Sequence, residues 1–147
     1  MGKLNVLDKN NLKDCAALFL DVFTAAPWSF SWLTKESVMR YFGDFLKTPN
    51  FQGFVYTQNG CAAGACAGII NDYFLQKVYD IKEIFVSPNN QRGGVGSAML
   101  AEIEKVLAAE KVNAVTLSTQ RDIPAYSFYL KNKYEESADT VFFWKPL

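Results

Sequence analysis

Ile81-Lys82-Glu83-Ile84-Phe85-Val86-Ser87-Pro88, continued by Gln91-Arg92-Gly93-Gly94-Val95-Gly96, decides how this chain is read. An apolar, strand-like run ends at Val86, a turn rich in glycine follows, and apolar spacing predicts a helix from about Val95. A glycine-rich turn feeding a helix offers free backbone N–H groups and the positive end of the helix dipole to an anion, most naturally a diphosphate. The glycines let the main chain approach such a group without a Cβ in the way. Glycines in a turn more often serve backbone geometry alone, so the surroundings of this stretch carry the argument.

Two rival phosphate loops are excluded by those surroundings. A Walker loop requires Lys-Ser or Lys-Thr after its last glycine, whereas Gly96 is followed by Ser97-Ala98. A dinucleotide fold places its glycine fingerprint in an early strand-turn-helix unit with an acidic residue about 20 positions on. Here the loop comes late and follows a hairpin meander.

Working outward, Asn59-Gly60 separates Phe54–Gln58 from Cys61–Ile70 and satisfies the positive φ angles of a two-residue hairpin turn. Val78–Val86 is predicted to continue the antiparallel meander. Before it, Leu4–Leu7 reads as a strand, and Leu12, Cys15, Ala16, Phe19, Val22 and Phe23 recur at helical spacing. Ala26-Pro27-Trp28 ends that helix. Thr34 can cap a second one, whose apolar face is Val38, Tyr41, Phe42, Phe45 and Leu46 and which Thr48-Pro49 stops. After the glycines, Met99, Leu100, Ile103, Val106 and Leu107 share one helix side, and Val115–Ser118 is a strand whose helical crossover implies parallel pairing. Asp122-Ile123-Pro124 opens a short helix, and Tyr134–Ser137 and Thr140–Lys145 are predicted as two terminal strands.

Length and composition bound the reading. The 147 residues, half of them hydrophobic, suit one domain, spanning 1–147, with one substantial core. Fifteen lysines and arginines balance fifteen aspartates and glutamates, so no overall field favours nucleic acid or an anionic membrane surface. The chain has no leader-like start and no stretch near the roughly 20 apolar residues of a membrane span, which predicts a cytoplasmic protein with no membrane partner. Cys15, Cys61 and Cys66 have no metal-ligand spacing and histidine is absent, which argues against zinc and serine-hydrolase chemistry. The cysteines read as small packing residues in a reducing compartment.

The pattern Gln-x-x-Gly-x-Gly after Ile81–Pro88 resembles the acyl-CoA-binding motif of the GCN5-related N-acetyltransferase superfamily, and the order of elements is similar to that fold over nearly the whole chain. The resemblance implies a mixed α/β fold: a central, mostly antiparallel sheet of six to seven strands, about four helices, and parallel strands that splay at the cofactor. It implies acetyl-CoA as cosubstrate, with the amides of Gln91, Arg92, Gly93, Gly94, Val95 and Gly96 and the side chains of Arg92 and Ser97 at the pyrophosphate. Main-chain groups of Phe85 and Val86 would meet the pantetheine arm, with Thr119 beside the gap and Tyr126 in the same cofactor set. Asp122 stands where many relatives carry asparagine, which weakens one cofactor contact. An aspartate accepts but donates only when protonated, so it is available to cap the helix instead. Lys133-Tyr134 replaces a common glycine-phenylalanine pair.

Acyl transfer to an amine requires an uncharged nitrogen, while a lysine-like amine titrates near 10.4. With no histidine, the candidate base is Glu83, whose superfamily counterparts act near the acyl group through a water. Burial among Ile81, Ile84 and Phe85 would raise its pKa; the alternative is a strand carboxylate paired with Lys82 or another cation. Ala125–Tyr129 resembles the superfamily segment whose final tyrosine is the general acid near the sulfur, which makes Tyr129 the candidate acid; the alternative is a core aromatic. The acceptor surface implied by the fold includes Trp28, Phe30, Trp32 and Tyr73, which hold an amine by cation–π attraction or else fill a core. The spacing from Ala26 to Val86 is similar to a bacterial branch containing aminoglycoside 6′-N-acetyltransferases, and the superfamily often forms homodimers. A small-molecule amine is the expected acceptor. A protein N-terminus or lysine, and a sensor that binds acyl-CoA without turnover, are the alternatives.

Overall fold

The computed structural model describes residues 2–147, in two compact units divided between Leu117 and Ser118. The first unit holds strands β1 (Gly2–Val6), β2 (Phe51–Gln58), β3 (Cys61–Asp72), β4 (Lys77–Val86) and β5 (Ala114–Thr116), with helices α1 (Leu12–Thr24), α2 (Lys35–Leu46) and α3 (Val95–Ala109). The second holds α4 (Pro124–Lys131).

The sheet order is β1-β2-β3-β4-β5, antiparallel except for the β4–β5 pair. Asn59 and Gly60 turn β2 into β3 with φ of 51° and 78°, as their side chains permit. Thr34 and Ser37 form a reciprocal capping box that starts α2. Cys15, Ala16, Leu18, Phe19 and Val22 of α1 and Val38 and Phe42 of α2 pack on Val55, Ala65, Ala67 and Phe85 of the sheet. On the other face, Met99 of α3 lies so close to Gly64 that an added Cβ would meet its sulfur at 3.0 Å. With helices on both faces, β2 and β3 bury consecutive residues instead of alternating.

Among the described residues five strands form, not six to seven. Tyr134–Ser137 and Thr140–Lys145 carry no ladder, and Val141, Phe142, Phe143 and Trp144 are 68–87% exposed. Strand-favouring side chains do not make a strand without a neighbour to take its N–H and C=O groups, and the second unit contains none. Asp122 does not cap α4: the N-cap position is Ile123 and no side chain bonds there. No helix among the described residues is long and apolar enough to cross a membrane, and no cluster of metal-ligating side chains occurs among them.

Candidate active site

The strand β4 and the turn that follows it carry most of the predicted cofactor residues. The β4–β5 ladder ends at Asp80 opposite Thr116, whereas β4 continues to Val86. The stretch Ile81–Val86 thus runs on past the end of its parallel neighbour, which stops at Thr116. A short 3-10 turn, Pro88–Asn90, leads to the glycines. Arg92 and Gly94 have φ of 66° and 80°, and no side chain caps the start of α3. First-turn amides have no intrahelical partner, so those of Val95, Gly96 and Ser97 point toward whatever lies before the helix. Gln91, Arg92, Gly93 and Gly94 are exposed, while Val95 is buried and anchors the corner. A Cβ built on Gly94 would meet nothing within 4 Å, so the space beside that residue is open.

Two predicted contacts are altered. The Gln91 side chain turns inward, its Nε2 donating to the Val86 carbonyl at 3.1 Å, so that carbonyl is already engaged. The Phe85 ring belongs to the core, edge-on to Phe19 at 5.2 Å, and its main chain pairs with Ala65 of β3, so neither is open to a ligand.

A bulge decides where Glu83 points. Ala67 pairs with Glu83 and Gly68 with Ile81, which leaves Lys82 as an extra residue. Tyr79 and Ile81 lie on the α3 side. The extra residue reverses the alternation, so Glu83 and Phe85 face α1 and α2. Lys82 Nζ pairs with Asp80 Oδ2 at 2.7 Å, not with Glu83. Instead the Tyr41 hydroxyl of α2 donates to Glu83 Oε2 at 3.1 Å. Burial raises the Glu83 carboxyl above its ordinary range and the Tyr41 hydrogen bond works against that rise. Burial also raises Tyr41, with the Glu83 charge adding to it. Tyr41 was missed as a site residue because its spacing placed it on the apolar face of α2. The available signal was a phenol among Val38, Phe42 and Phe45, since a hydroxyl on such a face needs a partner.

Trp28, Phe30 and Trp32 come together on the α1–α2 connection. Their ring centroids step from Phe23 to Trp28 at 5.4 Å, Trp28 to Phe30 at 6.1 Å and Phe30 to Trp32 at 5.3 Å. Tyr73 is 59% exposed in the β3–β4 turn, and among the described residues no ring contact ties it to that row. An open concavity of about 420 Å³ near Asn5, Asp8, Asp14 and Thr57 contains none of the predicted cofactor or catalytic residues.

In the second unit, the Tyr126 hydroxyl donates to Glu136 Oε2 at 2.7 Å, and Arg121 pairs with the other oxygen of the same carboxylate. That hydrogen bond raises the Tyr126 pKa and lowers that of Glu136. The Tyr129 ring stands edge-on to Phe128 at 5.3 Å and tilted against Tyr134 at 5.7 Å. Thr119 and Asp122 flank the Arg121 turn before α4.

A parallel β4–β5 pair followed by a glycine-lined helix start without a side-chain cap defines an α/β protein whose corner leaves backbone amides facing outward. The chain belongs to the Acetyltransferase (GNAT) family, whose model matches residues 16–134. Among solved structures it is similar over 100% of its length to a possible acetyltransferase from Clostridium difficile 630, covering 99% of that chain, with a TM-score of 0.81 at 12% identity. It is also similar to AAC(6')-Iy in complex with the bisubstrate analogue CoA-S-monomethyl-acetylneamine, with a TM-score of 0.77, 15% identity and coverage of 100% of this chain and 99% of that one. A third is the aminoglycoside acetyltransferase meta-AAC0020 from an uncultured soil metagenomic sample in complex with sisomicin, with a TM-score of 0.76, 21% identity and coverage of 99% and 96%. At these identities the likeness establishes the fold. No curated protein sequence matches the chain significantly.

Proposed function

We propose that this protein transfers an acetyl group from acetyl-CoA directly to the primary amine of a small molecule. The observation that carries the reading is the open, uncapped start of α3 on the same strand-turn-helix as a half-buried carboxylate, Glu83. Amides from Gln91 to Gly96, with Arg92 and Ser97, hold the pyrophosphate, and of the β4 pair Phe85 and Val86 it is Val86, its N–H facing away from β3, that lies along the amide-bearing arm. The cosubstrate supplies an activated thioester carbonyl.

Glu83 takes the amine proton through a water; burial raises its affinity for that proton, as a base working near neutral pH requires. As the C–N bond forms and the C–S bond breaks, Tyr129 gives its proton to the departing thiolate. The reading that CoA is bound without turnover lacks any account of Glu83 held by Tyr41 at the end of the strand. The test is a melting-temperature shift with acetyl-CoA followed by thiol release with amines. Stabilisation with release supports transfer, and stabilisation without release across a broad panel supports a sensor. In the enzyme, Tyr129→Phe lowers kcat at least tenfold while leaving the affinity for acetyl-CoA within a factor of about two. An unchanged kcat removes Tyr129 from the mechanism.

A further inference from the structure

The bulge that aims Glu83 also endangers it. In a regular strand, neighbouring side chains take opposite faces, which would keep Lys82 away from Glu83. Here Tyr79 and Ile81 lie on the α3 side, so Asp80 lies on the face of α1 and α2. Lys82 reaches Asp80 on that face, and the extra residue turns Glu83 to it as well. A lysine on a flexible four-carbon stem therefore stands beside the proposed base, their Cα atoms about 3.8 Å apart. An ammonium paired with that carboxylate would weaken it as a base and fill the place where the acceptor nitrogen must arrive.

Asp80 removes the danger. Its Oδ2 takes the Lys82 ammonium at 2.7 Å, and its Oδ1 accepts from Thr116 Oγ1 at 2.9 Å. Thr116 lies opposite Asp80 on the last rung of the β4–β5 ladder, so the neighbouring strand fixes the carboxylate that fixes the lysine. Hydration favours the same partner. The Lys82 and Asp80 side chains are 47% and 29% exposed, whereas Glu83 is buried enough to raise its carboxyl, and pairing there would strip more water from the ammonium. Asp80 and Glu83 are the two carboxylates of β4, and Lys77 and Lys82 its two cations, with Lys77 at the far end of the strand. From the other elements around Glu83, α2 brings the Tyr41 phenol, α1 the Phe19 and Phe23 rings beside Phe85, and β3 the Cys66 thiol, which feels the Glu83 charge. We propose that Asp80 is a positioning residue: it holds the Lys82 ammonium off Glu83 and so keeps that carboxylate vacant for the proton of the acceptor amine. This rests on the acetyl-transfer reading for the use of Glu83 as a base; the capture of Lys82 does not depend on it.

Asp80→Asn, Lys82→Met and the double variant form the test. Asparagine still accepts from Thr116 through its amide oxygen, so the last rung is kept. The Glu83 carboxyl is titrated by NMR in protein carrying isotope-labelled glutamate, without acetyl-CoA, its signal assigned by loss in Glu83→Gln. Thiol release is followed as kcat/KM against pH with the fastest of benzylamine, putrescine and sisomicin. In Asp80→Asn the freed lysine turns to Glu83, and both the Glu83 midpoint and the acid limb move to lower pH by about one unit. Lys82→Met produces no downward shift, and in the double variant the shift caused by Asp80→Asn disappears. A shift that persists in the Lys82→Met background belongs to the lost Asp80 charge and overturns the capture, as does a Glu83 midpoint unmoved by Asp80→Asn while thiol release continues. A midpoint that moves as expected, with no thiol released from any of the three amines, upholds the capture of Lys82 and removes the transfer reading instead.

Discussion

Replacing Tyr41 by phenylalanine removes one hydroxyl and leaves the ring packing of α2 in place. That hydroxyl is 3.1 Å from Glu83 Oε2, long for a hydrogen bond to a carboxylate, and Tyr41 is 42% exposed. Hydrogen bonds to charged groups contribute about 1.5–3 kcal/mol; length and solvent screening reduce this one to about 1 kcal/mol, roughly a fivefold effect on an equilibrium. Tyr41 donates to the ionised carboxylate and so lowers the Glu83 pKa against the rise caused by burial. Its loss moves that pKa further up, and less of the base is ionised at any pH below it. The assay is kcat/KM against pH for thiol release. In Tyr41→Phe the acid limb moves to higher pH, activity on that limb falls roughly fivefold, and the two enzymes converge where Glu83 is fully ionised. An identical profile, or a loss uniform across pH, refutes the coupling of Tyr41 to Glu83.

The same raised pKa has a consequence for folding. Glu83 binds its proton more tightly in the folded chain, so its favourable contribution is complete at acidic pH and is lost as pH rises through the folded value. Glu83→Gln therefore raises the melting temperature at neutral and alkaline pH, with the gain vanishing in acid; a gain independent of pH contradicts the assignment. Cys15 and Cys66 are buried, and burial pushes their thiols up to about 12, whereas Cys61 is exposed. A thiol reagent should find one fast cysteine in the native protein, lost in Cys61→Ser, and two more on denaturation. Gly94→Ala places a Cβ on a residue with φ of 80°, costing about 1 kcal/mol and lowering the melting temperature by roughly 3 °C. The same variant should weaken the stabilisation given by acetyl-CoA; unchanged stabilisation would remove this corner from the cofactor site.

How much of this was readable from residues alone follows from the range of each interaction. The Asn59-Gly60 turn, the Thr34 cap, the apolar stripe of α3 and the glycine corner before it are local, set by φ preferences and by spacing within one element. Glu83 stood out because no histidine competes for the role of base. The partner of Glu83 did not, because Tyr41 lies on another helix and the Lys82 bulge reverses which face the carboxylate takes. The Gln91 amide closing on the Val86 carbonyl was hidden for a similar reason: a side chain's direction depends on the turn already being folded.

The terminal segment gives the same lesson in reverse. Tyr134–Ser137 and Thr140–Lys145 have the composition of strands, yet a strand exists only when a second chain segment takes up its backbone hydrogen bonds. The amino-acid order by itself determined the helices, the hairpin, the glycine corner and the family resemblance, all governed by backbone sterics and periodic burial. Tertiary structure alone decided that the sheet stops at five strands, that Tyr41 and not Lys82 meets Glu83, and that four aromatic rings line up from Phe23 to Trp32. Those outcomes depend on which surfaces meet, and surfaces meet only after packing.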